Sequence, residues 1–172
     1  MKITTTPIAD LLIAQTNVVG DERGSFMRVF CAESLGVSQP IKQINYSYTA
    51  KKGTVRGLHF QHAPMAETKI VRCLEGAIYD VAVDLRPESA TYLQHYAVEL
   101  TAENNLAFII PAGFAHGFQA LTDNCKMLYL HTENYTPSAE GGILYNDPKI
   151  NIKWPLPPIN LSARDLSFKE LH

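Results

Sequence analysis

The sequence predicts an all-β sandwich or barrel. Three observations carry this: alternation of unlike side chains with period two, short apolar runs, and turn residues recurring every roughly 8 to 12 residues. Tyr79, Val81 and Val83 alternate with Asp80, Ala82 and Asp84, which marks a strand with two unlike faces. Tyr96, Val98 and Leu100 alternate with His95, Ala97 and Glu99 in the same way. Leu106 to Ile110 is an apolar run closed by Pro111, and residues 126–131 place Met127, Tyr129 and His131 on one face. Lys52-Gly53, Glu75-Gly76, Pro111-Ala112-Gly113 and Asn146-Asp147-Pro148 supply the turns. Helix is expected only as two short peripheral pieces. One covers residues 31–36, and the other follows Ser162, where Ser162-Ala163-Arg164-Asp165 reads as a capping signature.

The 172 residues fit one domain over 1–172, large enough to bury about 70% of the surface that the unfolded chain exposes. Apolar residues at 46% and charged residues at 19% exclude a disordered chain. A net charge of −2 without a long basic run argues against nucleic acid as a partner. Cys31, Cys73 and Cys125 are widely spaced and form no C-x-x-C pair, so reduced thiols in a cytoplasmic protein are expected rather than disulfides or a zinc ribbon. The first apolar stretch, residues 8–14, is broken by Asp10 and too short to span a bilayer, and no membrane partner is expected.

Three groups of residues have chemical potential. They are Arg56-Gly57-Leu58-His59-Phe60-Gln61 with Lys69, the run Pro111 to Phe118 containing His116, and Tyr129. A histidine takes a proton near neutral pH, a lysine steadies an oxyanion, and a tyrosine returns a proton. Together they suit proton abstraction beside a carbonyl. Singly, each has a structural explanation: a strand histidine is more often a hydrogen-bonded framework residue, and Tyr129 beside Met127 suits a core. A metal-dependent site built from His59, His62, Glu67 and His116 is the competing arrangement. It is disfavoured because residue 61 is glutamine where a His-x-His pair is needed, and because His59 and His62 fall on opposite faces of a regular strand.

A series of ordered motifs spans nearly the whole chain. These are Asp21-Glu22-Arg23-Gly24-x-Phe26, Gln43-Ile44-Asn45-x-Ser47, Arg56 to Gln61, Lys69-Ile70-Val71-Arg72-Cys73, residues 80–86, residues 110–118, Asn146-Asp147-Pro148 and Trp154-Pro155. In these the sequence resembles the dTDP-4-dehydrorhamnose 3,5-epimerase family. The resemblance implies a cupin-type jelly roll, a homodimer, no metal and no organic cofactor. Its substrate would be a nucleoside diphosphate 4-keto-6-deoxy sugar inverted at C3, C5 or both; a ketoisomerase would use the same enolate chemistry. By position in the motifs, His59 is the base, Asp165 its carboxylate partner, Lys69 the enolate-stabilising group and Tyr129 the acid. Arg23, Arg56 and His116 correspond to residues that hold the diphosphate or position the sugar. Gln43 and Asn45 correspond to the nucleotide side, and Glu140 to a substrate contact.

Three positions depart from the family pattern: Arg28 where many members carry Glu, Glu67 where Gln is usual, and Arg164 where Lys is common. Arg28 and Arg164 are also candidate substrate-binding residues. A guanidinium only donates hydrogen bonds where a carboxylate accepts them, so Arg28 points to a different nucleobase contact. Arg56 and His59, three apart, share a face only if the strand bulges near Gly57.

Overall fold

The computed structural model describes residues 1–171. Thirteen strands run in the order β1 (Lys2–Thr5), β2 (Leu12–Gln15), β3 (Val18–Asp21), β4 (Gly24–Met27), β5 (Gln43–Thr49), β6 (Val55–Gln61) and β7 (Lys69–Glu75). They continue as β8 (Ala77–Asp84), β9 (His95–Thr101), β10 (Leu106–Ile110), β11 (Phe114–Ala120), β12 (Cys125–His131) and β13 (Glu140–Gly142). Helix is confined to α1 (Ala32–Leu35), α2 (Ala163–Leu166) and a 3₁₀ turn at Pro137–Ala139. One antiparallel sheet has the order β1-β2-β10-β7-β12-β5 and the other β13-β6-β11-β8-β9, with β3-β4 as a separate hairpin. This is the all-β, jelly-roll arrangement that the alternation and the motifs predict.

The two large sheets pack face to face. Val71, Cys73, Phe108, Ile110 and Met127 of one meet Ile78, Ala82, Leu100, Phe114 and Phe118 of the other in a buried apolar core. Their outer faces are covered as well. Leu35 and Val37 lie over Ile70, Ala107, Ile109 and Leu130, while Ile143, Ile150 and Ile152 lie over Leu58, Val81, Val83 and Ala115. Double cover explains a feature that alternation alone leaves open. On β8 the polar partners Asp80 and Asp84 face inward and are fully buried, while Val81 and Val83 pack under the C-terminal cover.

The register contains one irregularity that shapes the site. On β11, His116 pairs with His59 and Phe118 pairs with Arg56, so Gly57 and Leu58 together oppose Gly117. This bulge puts Arg56 and His59 on the same side. Only glycine fits there. Gly57 has φ +111°, and a Cβ would stand 2.6 Å from Gly117 Cα and 2.7 Å from His116 O, both backbone atoms.

Candidate active site

The inward residues are apolar at one end of the strands and polar at the other. On β7 the inward series Cys73, Val71, Lys69 ends in a charge, and on β12 Met127 gives way to Tyr129 and His131. The pairings His131–Lys69 and Gln43–His131 bring these polar ends together. The sheets therefore enclose a cavity of about 1050 Å³ at that end, opening to solvent.

His59 projects from β6 on the five-stranded sheet. Its Nε2 lies 2.7 Å from Asp165 Oδ1, and Asp165 Oδ2 accepts the Gly57 N–H at 3.3 Å. Asp165 is delivered by α2, whose first turn is capped by the Ser162 hydroxyl accepting the Asp165 N–H at 3.0 Å. The cap and the carboxylate role coexist, because one uses the backbone and the other the side chain. Phe168 approaches the His59 ring edge-on, with centroids 5.8 Å apart, and sits where any side chain at Gly142 would collide with it. Burial pulls the His59 pKa below the usual 6.5, and the Asp165 hydrogen bond and charge work against that pull. The ring is therefore neutral at pH 7. With Nε2–H donated to Asp165, Nδ1 holds the free lone pair.

The facing wall belongs to the six-stranded sheet. Lys69 Nζ contacts Glu67 Oε1 at 3.1 Å and donates to His59 O at 3.3 Å. The half-buried Tyr129 hydroxyl accepts from Ser47 Oγ at 3.3 Å, and desolvation pushes its pKa well above the usual tyrosine value. From the five-stranded sheet, His116 Nε2 on β11 lies 2.7 Å from Asp80 Oδ1 on β8, and its ring meets Tyr129 edge-on. Complete burial raises the Asp80 pKa against the opposing pull of His116 and Lys69. Among the described residues, its Oδ2 is the only buried side-chain polar atom without a partner.

At the rim, Arg56 donates to Thr49 Oγ1 at 3.1 Å and to Tyr48 O at 3.3 Å, both neutral acceptors. Arg164 makes a two-pronged pair with Glu140 at 2.8 and 3.0 Å, and Tyr135 donates to the same carboxylate at 2.8 Å. Gln61 and Gln43 accept the Thr136 and Tyr135 N–H groups, so both sheets hold this loop. The cavity thus gathers His59, Lys69, Tyr129, Asp165, Gln43, Asn45, Arg56, His116, Glu140 and Arg164. Arg23 and Arg28 lie outside it. Arg23 pairs with Asp21 at the exposed tip of the β3–β4 hairpin, and Arg28 is exposed just beyond β4.

The arrangement proposed for a metal is not assembled. His62 turns its ring against Phe60, away from the cavity, and Glu67 is engaged by Lys69 and Gln61. Among the described residues no group of three or more His, Cys, Asp or Glu side chains is placed to hold a metal ion. Several cavity residues escaped sequence reasoning. His131 was legible, being two residues from Tyr129 on the same face; Tyr135, in the loop after β12, carried no periodic signal. Asp80 and Phe168 act through distant partners that spacing does not reveal.

Comparison with known proteins agrees with this geometry. Residues 5–172 match the family model of dTDP-4-dehydrorhamnose 3,5-epimerase. The chain is 45% identical to the dTDP-4-dehydrorhamnose 3,5-epimerase of Salmonella typhimurium, over 96% of this chain and 92% of that one. A crystal structure of the Bacillus anthracis dTDP-4-dehydrorhamnose 3,5-epimerase with TDP and PPi bound superposes with a TM-score of 0.95, at 39% identity and 99% coverage of both chains. The Legionella pneumophila dTDP-6-deoxy-D-glucose-3,5-epimerase in complex with dTDP-4-keto-L-rhamnose gives 0.93, at 40% identity over 98% of this chain and 92% of that one. The chain belongs to the dTDP-4-dehydrorhamnose 3,5-epimerase family of isomerases.

Proposed function

We propose that this protein epimerises C3, C5 or both in a nucleoside diphosphate 4-keto-6-deoxy sugar, dTDP-4-dehydro-6-deoxyglucose or a close relative, through an enolate. The observation that carries the reading is the placement of His59 and Tyr129 on opposite sheets across one cavity. A 4-keto group acidifies the hydrogens at C3 and C5. His59 Nδ1 takes one of them, and the Asp165 carboxylate steadies the imidazolium that forms. Lys69 stabilises the enolate oxygen. Tyr129 then delivers a proton from the other wall, which inverts the carbon. No cofactor or metal enters this scheme.

The cations divide the cavity. Lys69 and Arg164 are engaged by carboxylates, whereas Arg56 is held by neutral groups, so no carboxylate competes with the diphosphate for its guanidinium. His116 positions the sugar beside it, with Gln43 and Asn45 toward the nucleotide and Glu140 at the rim. Arg23 and Arg28 reach such a ligand only from another chain. The hairpin that carries Arg23 exposes Val18, Val19 and Phe26, the last at 73%, so a homodimer with the hairpin against its partner is the assembly we infer. Cytoplasmic location is inferred from the free cysteines, and no helix among the described residues is long and apolar enough to cross a membrane.

Incubation with dTDP-4-dehydro-6-deoxyglucose in heavy water, followed by NMR, is expected to show deuterium at the inverted carbons. A panel of other nucleoside diphosphates carrying the same sugar tests the base contact at Arg28. Absence of exchange with every member of the panel would overturn the reading.

A further inference from the structure

The epimerase scheme leaves one buried charge of the cavity without a task. Glu67 lies in the loop before β7, and its side chain is only 5% exposed. Its two oxygens serve different neighbours. Oε1 stands 3.1 Å from Lys69 Nζ and 3.9 Å from His131 Nδ1, while Oε2 accepts the Gln61 amide at 2.8 Å. A buried carboxylate is costly unless it is paired, and among the described residues Lys69 is the only cation within ion-pair reach, because His131 is neutral. Burial, then Lys69 and His116, hold the His131 pKa down to about 4, so the 3.9 Å approach is a polar contact rather than an ion pair.

The tautomer of His131 follows from its other neighbour. Its Nε2 faces the Asn45 amide nitrogen at 3.4 Å, and an amide NH₂ only donates. Nε2 therefore accepts, and the ring proton sits on Nδ1, the nitrogen nearer Glu67 but beyond hydrogen-bond distance of it. The carboxylate thus takes donors from two strands, Gln61 of β6 and Lys69 of β7, with the His131 ring of β12 alongside at 3.9 Å. Lys69 in turn donates to the backbone carbonyl of His59. A flexible four-carbon ammonium stem is held on one side by Glu67 and on the other by the residue that removes the proton.

We propose that Glu67 is a positioning residue of the reaction centre, whose negative charge aims the Lys69 ammonium at the oxygen that becomes the enolate. Gln61 holds one oxygen of Glu67, and the other oxygen holds Lys69. The groups facing this ammonium from the packed elements are Glu67, His131 and Asp80, besides the His59 carbonyl. Glu67 is the one in direct contact, so its charge sets the direction of the stem. This inference rests on the epimerase reading, and its test separates the two.

The charge and the shape of Glu67 are separable. Glu67→Gln keeps the shape and discards the charge; Glu67→Asp keeps the charge and shortens the reach. Aiming by charge predicts that Glu67→Gln lowers kcat by about 10- to 100-fold with little change in KM, the range for losing one charged hydrogen bond. It further predicts that Glu67→Asp retains more activity than Glu67→Gln. A merely structural clip gives the reverse order, with Glu67→Gln the better tolerated, and that order overturns the proposal. So does a Glu67→Gln enzyme as fast as wild type. If the single variants fold poorly, the double variant decides. Lys69→Met leaves Glu67 buried and unpaired, so adding Glu67→Gln must raise Tm above that of Lys69→Met; no rise refutes the pairing. Wild-type enzyme that exchanges no deuterium into any nucleotide-linked 4-keto-6-deoxy sugar removes the epimerase reading and this inference with it. Exchange that is equal in wild type and Glu67→Gln removes the inference alone.

Discussion

Replacing Asp165 by asparagine is predicted to do more than delete a charge. The carboxylate serves two donors at once, the His59 Nε2–H at 2.7 Å and the Gly57 N–H at 3.3 Å, one with each oxygen. An amide has one oxygen for these two donors. The Gly57 N–H cannot change its role, whereas imidazole can move its proton to the other nitrogen. The asparagine oxygen therefore goes to Gly57, its NH₂ faces Nε2, and the ring proton relocates to Nδ1. That occupies the lone pair that takes the substrate proton. Loss of charge assistance alone would cost about 1.5 kcal/mol, roughly 10-fold in rate. The wrong tautomer raises the expected loss in kcat to about 10³- to 10⁴-fold. The α2 cap uses the backbone N–H of residue 165 and survives, so the fold is retained. The pH profile has a definite sign as well. Asp165 pushes the His59 pKa up against the larger effect of burial, so its removal moves the acid limb of kcat to lower pH while the plateau falls. Steady-state turnover followed by NMR between pH 5 and 8, with circular dichroism as a fold control, reads both effects. A variant within about 5-fold of wild type, a difference of only about 1 kcal/mol, would refute the reasoning.

Two further outcomes follow from the site's construction. Gly57→Ala drives a Cβ into backbone atoms at 2.6 and 2.7 Å from a φ of +111°, so a loss of about 3 kcal/mol is expected, or a Tm fall of about 6 to 12 °C. A melt within about 2 °C of wild type would show that the bulge can relax. His131 has a folded pKa of about 4 against 6.5 for the unfolded chain, so the unfolded state takes up the proton first as pH falls. Its contribution to stability is complete above pH 6.5 and is lost between there and pH 4, by about 3 kcal/mol in all. His131→Asn should therefore flatten the dependence of Tm on pH across that window, measured by thermal melts in matched buffers. Parallel wild-type and variant curves would contradict it.

The strands were legible because a residue pattern of period two has few other solutions, and β8, β9 and β12 appear where that pattern lies, while β10 appears at the apolar run closed by Pro111. Which face pointed inward was not legible on β8. Both faces are covered, and the interior at the reactive end is polar, so Asp80 faces inward where simple amphipathicity puts it outside. The bulge at Gly57 could be foreseen, because Arg56 and His59 cannot otherwise share a side. Pairings between distant loops could not: Glu140 with Arg164 and Tyr135, or Phe168 against His59, depend on chain paths that no local pattern records. Arg23 and Arg28 stand apart from the cavity for a related reason. In the homodimer proposed above they would serve a second copy of the chain, and spacing along one chain does not record that.

The central claim is that one base and one acid work from opposite sheets. Its most direct test is stereochemical: wild type and Tyr129→Phe are each incubated with the nucleotide-linked 4-keto-6-deoxy sugar in heavy water, and NMR scores deuterium uptake and configuration at C3 and C5. Wild type is expected to take up deuterium with inversion. Tyr129→Phe is expected to continue uptake with retained configuration, because His59 still removes the proton and returns a deuteron from its own side. Inversion at the wild-type rate without the Tyr129 hydroxyl, or loss of exchange together with inversion, would contradict the claim.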